Sequence, residues 1–120
     1  ADWYLVQFIT CPYLKVSSMV NAFMQMINND LDSIYSIQKI SSFVDYDNHP
    51  LNYNPLCLER TQDLKHIEIR SNSFYFMSKN VIKMGRLTGH AKASYIVSDI
   101  EAIDIDTEAD LEFANMIKCP

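Results

Sequence analysis

The opening of the fold is decided by residues 3–10, Trp-Tyr-Leu-Val-Gln-Phe-Ile-Thr, an almost unbroken run of apolar, β-branched and aromatic side chains. Such a run is typical of a strand buried on both faces, as in a parallel sheet. Pro12 ends this strand, and Ser17 is a candidate N-cap for a following helix. The predicted helix carries an apolar stripe with three- and four-residue spacing: Met19, Val20, Phe23, Met24 and Ile27. A second strand over residues 33–40 completes a βαβ unit, which predicts an α/β fold.

The rest of the chain continues this pattern. Three further strands are predicted from apolar and aromatic runs: residues 67–77, 93–97 and 102–105. Residues 78–84 are predicted to form a short helix. Thr107 caps a last helix, with Asp110 as its partner in a variant capping box. The buried side of that helix is predicted to carry Leu111, Phe113, Ala114 and Ile117. Residues 45–65 are rich in turn formers and long for a structureless loop, so we expect them to be functional or to pack on another surface.

Composition excludes several classes of protein. A net charge of −5 argues against a general nucleic-acid binder, which carries a basic face. No apolar run is long enough to span a membrane and the first residues are not those of a signal peptide, so we expect a cytoplasmic protein. Three cysteines without a metal-ligand spacing indicate inert thiols. With only two glycines, Gly85 and Gly89, the chain cannot build a phosphate-cradling loop, so we expect any such loop to lie outside this sequence.

The acidic pair Asp104 and Asp106 is the first candidate site. In a strand these two side chains point to the same face, while Ile103 and Ile105 point to the other. Two carboxylates on one face suit Mg²⁺, which keeps waters and adds substrate phosphates to a few protein oxygens. The alternative is that both carboxylates are solvated side chains at the end of a strand.

Polar residues near two other strands are further candidates. Gln7 and Lys15 flank the carboxyl end of the first strand, where ligands bind in open parallel sheets. Arg60 and Arg70 carry guanidinium forks that match carboxylates and phosphates, although each is equally compatible with a solvated or structural ion pair. Two residues of the aromatic strand, Asn72 and Tyr75, add polar groups beside Arg70, while the aromatic run itself is compatible with core packing.

Taken in order, these segments resemble the acylneuraminate cytidylyltransferases, the CMP-sialic acid synthetases and their relatives. The matching segments are Thr10-Cys11-Pro12 followed by Lys15, residues 60–64 (Arg-Thr-Gln-Asp-Leu), residues 70–75 (Arg-Ser-Asn-Ser-Phe-Tyr) and residues 103–111 (Ile-Asp-Ile-Asp-Thr-Glu-Ala-Asp-Leu). The resemblance spans residues 4–117. Ser73 stands where the family has glycine, and Gln7 lies three residues before Thr10 instead of two.

The resemblance implies a three-layer α/β nucleotidyltransferase fold with a Rossmann-like mixed sheet. It also implies a reaction in which CTP and an acidic nine-carbon 2-keto sugar give the CMP-sugar and pyrophosphate. By the same resemblance, Asp104 and Asp106 hold Mg²⁺. The expected substrate-binding residues are Gln7, Lys15, Arg60, Arg70, Asn72 and Tyr75.

The resemblance further implies that residues 1–120 are the C-terminal part of a single cytidylyltransferase domain. Residues 43–71 are then a dimerisation arm, and the protein is a homodimer. Because the family's glycine-bearing nucleotide loop is absent, we expect this segment alone to be inactive. The alternative is a non-catalytic association module derived from the family. The sequence does not distinguish a nine-carbon sugar from related keto-octonic, pseudaminic or legionaminic acids.

Overall fold

A computed structural model describes residues 1–117, which form the predicted α/β fold. The elements follow one another as β1 (Trp3–Gln7), α1 (Val16–Asn28), β2 (Ser33–Ile40), β3 (Asp45–Tyr46), β4 (His49–Pro50), β5 (Ile67–Ser78), α2 (Lys79–Lys83), β6 (Lys92–Ile96) and α3 (Glu108–Met116). Four strands form a mixed sheet in the order β1-β5-β2-β6, in which β1 is antiparallel to β5 and β2 is parallel to β6. Among the described residues, no helix is both long enough and apolar enough to cross a bilayer.

The chain divides into two compact units, which we describe separately. The sheet unit comprises residues 1–38 and the chain from residue 70 onward, and the hairpin unit comprises residues 39–69. In the hairpin unit, β3 and β4 pair in antiparallel fashion around Asp47 and Asn48, whose φ angles are 49° and 64°. Two successive positive φ angles are typical of a type I′ hairpin turn, which Asp and Asn tolerate well. The Asn52 side chain then donates to the carbonyls of Ser42 and Lys65, which closes the unit.

The core of the sheet unit lies on both sides of β5, because successive residues of a strand point to opposite faces. Phe74 and Phe76 pack with Ala22 and Met26 of α1 in the larger apolar cluster. A smaller cluster, formed by Tyr75, Met77 and Val81, joins β5 to α2. Helices therefore cover both faces of the sheet.

β1 differs from its prediction in both length and surroundings. The strand ends at Gln7, pairs antiparallel with β5 and forms an edge of the sheet. Within residues 1–117 no strand pairs with the outer edge of β1, and Trp3, Tyr4 and Leu5 on this strand are partly exposed. Leu5 and Val16 border an apolar groove of about 300 Å³ between β1 and α1. The prediction of a strand buried on both faces was therefore wrong for this chain.

Helix α1 begins two residues earlier than predicted, with Lys15 and not Ser17 as the N-cap. Its fully buried positions are Ala22 and Met26, whereas three residues of the predicted apolar stripe are exposed: Val20, Met24 and Ile27. The hydrophobic pattern missed this rotation because small residues such as Ser18 and Ala22 fill the tightest contacts against the sheet.

The last segment contains both a confirmed and a wrong prediction. Residues 102–105 form a turn followed by irregular chain, not a strand. The predicted capping box of α3 is present, with Thr107 as N-cap and Asp110 as its partner. Ala114 is the buried residue of α3, and its carbonyl accepts a hydrogen bond of 2.6 Å from the Tyr13 hydroxyl. Two residues predicted for the buried side are exposed: Leu111 and Phe113.

Candidate functional site

The acidic segment, residues 103–106, lies beside the end of β1. The Ile105 amide donates to the Thr10 carbonyl over 2.9 Å, which ties this irregular segment to the turn that follows β1. A single backbone hydrogen bond is not a sheet ladder, which explains why the predicted strand is absent. The segment nevertheless places Asp104 and Asp106 beside the turn that follows β1.

The two carboxylates of the acidic segment have different surroundings. Asp104 Oδ1 is buried and has no hydrogen-bond partner among residues 1–117, whereas the Asp106 side chain is exposed. A buried anionic oxygen without a partner is costly unless a cation or a proton compensates it. Asp104 therefore fits a divalent cation.

Few other protein ligands are available to such a cation. In the described part of the chain, no three or more His, Cys, Asp or Glu side chains gather into a metal-binding group. The protein thus offers at most a pair of carboxylates here. One or two carboxylates, completed by water and substrate phosphates, are the usual protein ligands of Mg²⁺.

Cys11 is buried next to the acidic segment, at 3% exposure. Burial is the main reason that the pKa of its thiol is raised, and the charges of Asp104 and Asp106 raise the pKa further. Hydrogen bonds with Ser73 and Thr10 lower the pKa but do not cancel this increase. The buried position of Cys11 agrees with the sequence, and a raised pKa favours the inert thiol that the sequence predicts. Cys57 is exposed in the hairpin unit, and Cys119 lies outside the described residues.

A chain of buried serine hydroxyls runs from β2 to the turn before the acidic segment. The Ser71 hydroxyl donates to Ser36 Oγ over 2.7 Å and lies 3.1 Å from Ser73 Oγ. The Ser73 hydroxyl in turn donates to the Glu101 carbonyl over 3.2 Å. Sequence inspection missed this chain because serines carry no periodic signal and the partners lie far apart along the sequence. Ser73 is thus a structural link between β5 and residue 101.

Three predicted substrate-binding residues lie together on β5. The Tyr75 hydroxyl donates to Asn72 Oδ1 over 2.8 Å, and Asn72 itself has a left-handed backbone, with φ of 58°. Tyr75 is buried and stacks on Tyr35, with 6.4 Å between ring centroids. The guanidinium carbon of Arg70 lies 4.2 Å from the centroid of the Tyr35 ring, in a cation–π contact.

The other predicted residues are more scattered. Gln7 is exposed at the end of β1, opposite Phe74 of β5, and so lies on the strand next to Asn72 and Tyr75. Lys15 has an exposed side chain at the start of α1. Arg60 belongs to the hairpin unit, where its Nε lies 3.0 Å from Asp63 Oδ2 in an exposed ion pair. The alternative of an ion pair therefore describes Arg60 in this structure.

Comparison with known proteins finds similarity to a cytidylyltransferase. The chain is 29% identical over 109 residues to N-acylneuraminate cytidylyltransferase A of Danio rerio, an alignment that covers 84% of this chain and 25% of the relative. This similarity supports a distant family relationship. The chain spans a quarter of the length of that relative. No family model matches the chain.

Proposed function

We propose that this chain supplies the metal-binding and sugar-binding side of a cytidylyltransferase, which transfers CMP from CTP to an acidic 2-keto sugar and releases pyrophosphate. The observation that carries the proposal is the acidic pair, in which Asp104 has an unpartnered buried oxygen two residues before the exposed Asp106. The similarity to a protein named N-acylneuraminate cytidylyltransferase supports the reaction and the substrate class.

Asp104 and Asp106 are the proposed holders of Mg²⁺. When bound, the ion would orient the triphosphate and offset its negative charge. The chain's own contribution is to hold both carboxylates beside Thr10, through the hydrogen bond from Ile105. Lys15 presents an exposed ammonium at the start of α1 and is the proposed contact to phosphate or to the acidic sugar.

The sugar side is proposed to involve β5 and the end of β1. The hydrogen bond from the Tyr75 hydroxyl fixes the orientation of the Asn72 amide, and Gln7 lies on the adjacent strand. The Tyr35 ring holds the guanidinium of Arg70, an exposed group whose fork matches a carboxylate in a two-point contact. An acidic sugar supplies such a carboxylate. We assign Arg60 a role in substrate binding only if its pair with Asp63 opens.

We further propose that the sheet is part of a three-layer nucleotidyltransferase fold whose nucleotide loop lies in another segment. Helices on both faces of the sheet support the layering. Three facts support the need for another segment: the chain has two glycines, it spans a quarter of the relative, and within residues 1–117 no strand pairs with the outer edge of β1, which lies beside an apolar groove. The chain alone is then inactive.

A second candidate function is association without catalysis. The hairpin unit exposes large apolar side chains, which favours contact with another surface: Tyr46, Leu51, Leu56 and Leu58. In the catalytic proposal the same residues serve a homodimer, with residues 43–71 as the arm. If the chain is an association module, contact through these residues is its whole function, and the acidic pair is dispensable.

The test compares Asp106→Asn with Asp47→Asn in a polypeptide that joins these residues to a nucleotide-binding segment. We expect CTP-dependent pyrophosphate release with an N-acylneuraminate to fall by about 100-fold or more in Asp106→Asn, because a metal ligand is lost. Asp47 is an exposed acid at a left-handed hairpin position that asparagine tolerates, so its variant is matched in charge and should keep full activity. Full activity in a folded Asp106→Asn protein would leave the association module as the better account.

A further inference from the structure

Glu101 is a buried carboxylate that has all its hydrogen-bond partners inside the protein. Its side chain is 4% exposed. Oε1 accepts from the Lys15 amide at 3.1 Å and from the Ser18 hydroxyl at 2.5 Å. Oε2 accepts from the Ser98 amide at 3.1 Å and from the Ser98 hydroxyl at 3.0 Å. Burial raises the pKa of Glu101, but these hydrogen bonds outweigh it and leave the pKa below its ordinary value.

Two of these contacts replace a missing cap on α1. In a capping box, an acidic side chain at the third helical position accepts the amide of the N-cap residue. The N-cap here is Lys15, whose side chain makes no capping hydrogen bond, and the third helical residue is Ser18. The Ser18 side chain donates to Glu101, and Glu101 accepts the Lys15 amide in its place. A negative charge at a helix N-terminus is also favoured by the helix dipole.

The same residue fixes one end of the acidic segment. The backbone carbonyl of Glu101 accepts the Ser73 hydroxyl, which ties residue 101 to β5. Asp104 follows three residues later, and the Ile105 amide is then held by Thr10. The chain that carries Asp104 is therefore anchored on both sides, by the Glu101 carbonyl and by the Ile105 amide. The carboxylate of the same Glu101 holds the backbone of Lys15.

We propose that Glu101 is a positioning residue that holds the acidic pair and Lys15 in one fixed arrangement. This inference rests on the proposed function, because the fixed arrangement affects metal binding only if Asp104 and Asp106 bind a metal. Glu101 does not itself bind substrate, because it is buried and its oxygens are occupied by four donors. A glutamine cannot accept all four, since one oxygen becomes an amide nitrogen that faces donors.

The test measures two quantities on the 120-residue chain, with Mn²⁺ alone as the metal probe. Amide exchange of Ile105, followed by NMR, reports how firmly the acidic segment is held, and water-proton relaxation gives the Mn²⁺ dissociation constant. The variant is Glu101→Gln. The control is Ser33→Ala, which removes a buried hydroxyl that accepts the Gly89 amide. Ser33 lies at the start of the parallel strands β2 and β6, whereas Glu101 follows the end of β6.

In Glu101→Gln we expect exchange at Ile105 to quicken by about tenfold or more beyond the change in global stability, since the opening is local. We expect Mn²⁺ to bind roughly 10–100-fold more weakly, the usual cost of removing a group that orients a metal ligand. Ser33→Ala should change global stability without either effect. Ser98→Ala keeps the charge and removes one donor, so it should shift both readouts in the same direction and by less, which provides the test if Glu101→Gln does not fold.

The outcomes separate this inference from the proposed function. Unchanged exchange at Ile105 in the variants of Glu101 and Ser98 overturns the inference, whatever the wild-type chain does with Mn²⁺. Unchanged Mn²⁺ affinity in a variant with a loosened Ile105 overturns it as well. A loosened Ile105 in a chain whose wild type binds no Mn²⁺ supports the positioning role and contradicts the metal site of the proposed function.

Discussion

The thiol of Cys11 lies between the end of β1 and the acidic segment, in surroundings that disfavour its reactive form. Burial is the main reason that the pKa of Cys11 is raised, and the charges of Asp104 and Asp106 act in the same direction. Only the thiolate attacks electrophiles at an appreciable rate. A cysteine beside the candidate site is therefore expected to be chemically quiet, whereas Cys57 is exposed.

The difference between the two thiols is measurable in a Cys119→Ser background. With an aromatic disulfide reagent at pH 8, we expect Cys57 to react at once. Cys11 should react at least about tenfold more slowly, because the thiolate of Cys11 is scarce and buried. Cys11→Ser and Cys57→Ser assign the two phases, and guanidinium should remove the difference. Equal rates in the folded chain would contradict the structure around Cys11.

Individual residues of the site were predictable to different degrees. Asp104 and Asp106 stand in a local motif, so the sequence indicated them and the structure adds that Asp104 Oδ1 is buried without a partner. Glu101 was missed because its Ser18 and Lys15 contacts span 83 and 86 residues. A local pattern contains no information about partners so far along the chain.

Helix α3 begins directly after the acidic segment, so its cap also holds the backbone of that segment. Thr107 Oγ1 accepts the Asp110 amide at 3.2 Å, while Asp110 Oδ2 accepts the amides of Thr107 and Asp106 at 2.9 and 3.1 Å. Hydrogen bonds to its carboxylate lower the pKa of Asp110. The largest effect comes from the Thr107 side chain, and the amides of Asp106 and Thr107 contribute less. Thr107→Ala should therefore destabilise the fold by about 0.5–2 kcal/mol in urea unfolding at pH 7.

The lowered pKa of Asp110 predicts how this stabilisation depends on pH. Because the folded pKa lies below the unfolded value of about 3.9, the contribution is complete above that pH and is lost as the pH falls through the folded pKa. Urea unfolding of wild type and Asp110→Asn should thus differ at pH 7 and converge towards pH 2. Asp47→Asn is the control. A gap between Asp110→Asn and wild type that stays constant or widens in acid would contradict the capping box.

Elements whose signal is local were predicted well, and those decided by distant contacts were not. β2, β5, α2 and β6 follow from apolar periodicity and turn residues, and the structure contains each of them. At the start of α1, the Lys15 amide donates to Glu101, a partner that no helix pattern includes. Residues 102–105 alternate as a strand does, but their amides donate to the carbonyls of Ser98, Ile100 and Thr10 and form no ladder.

The whole molecule divides its proposed tasks between two units. The sheet unit contains the acidic pair and the β5 cluster around Tyr75, and the hairpin unit exposes apolar residues suited to association. Neither unit has the glycine-rich loop that a triphosphate requires, since the chain has only Gly85 and Gly89. At this scale, we propose that the chain is one part of a catalytic assembly.

In the described part of the chain, no strand pairs with the outer edge of β1. An unpaired strand with exposed apolar side chains accepts another strand readily. Trp3, Leu5 and Phe8 are partly exposed there, beside the groove against α1. A nucleotide-binding segment that pairs with this edge would complete the sheet and lie next to the end of β1, where Asp104 and Asp106 are held.

The most direct test of the central claim is complementation. The 120-residue chain is mixed with a separately expressed nucleotide-binding segment that carries the glycine-bearing loop, and formation of CMP-sugar from CTP is followed with N-acylneuraminate and related 2-keto acids. The account predicts no product from either part alone, product from the mixture, and loss of that product with Asp104→Asn or Asp106→Asn. A stable, folded complex that forms no CMP-sugar from any of these acids would contradict it.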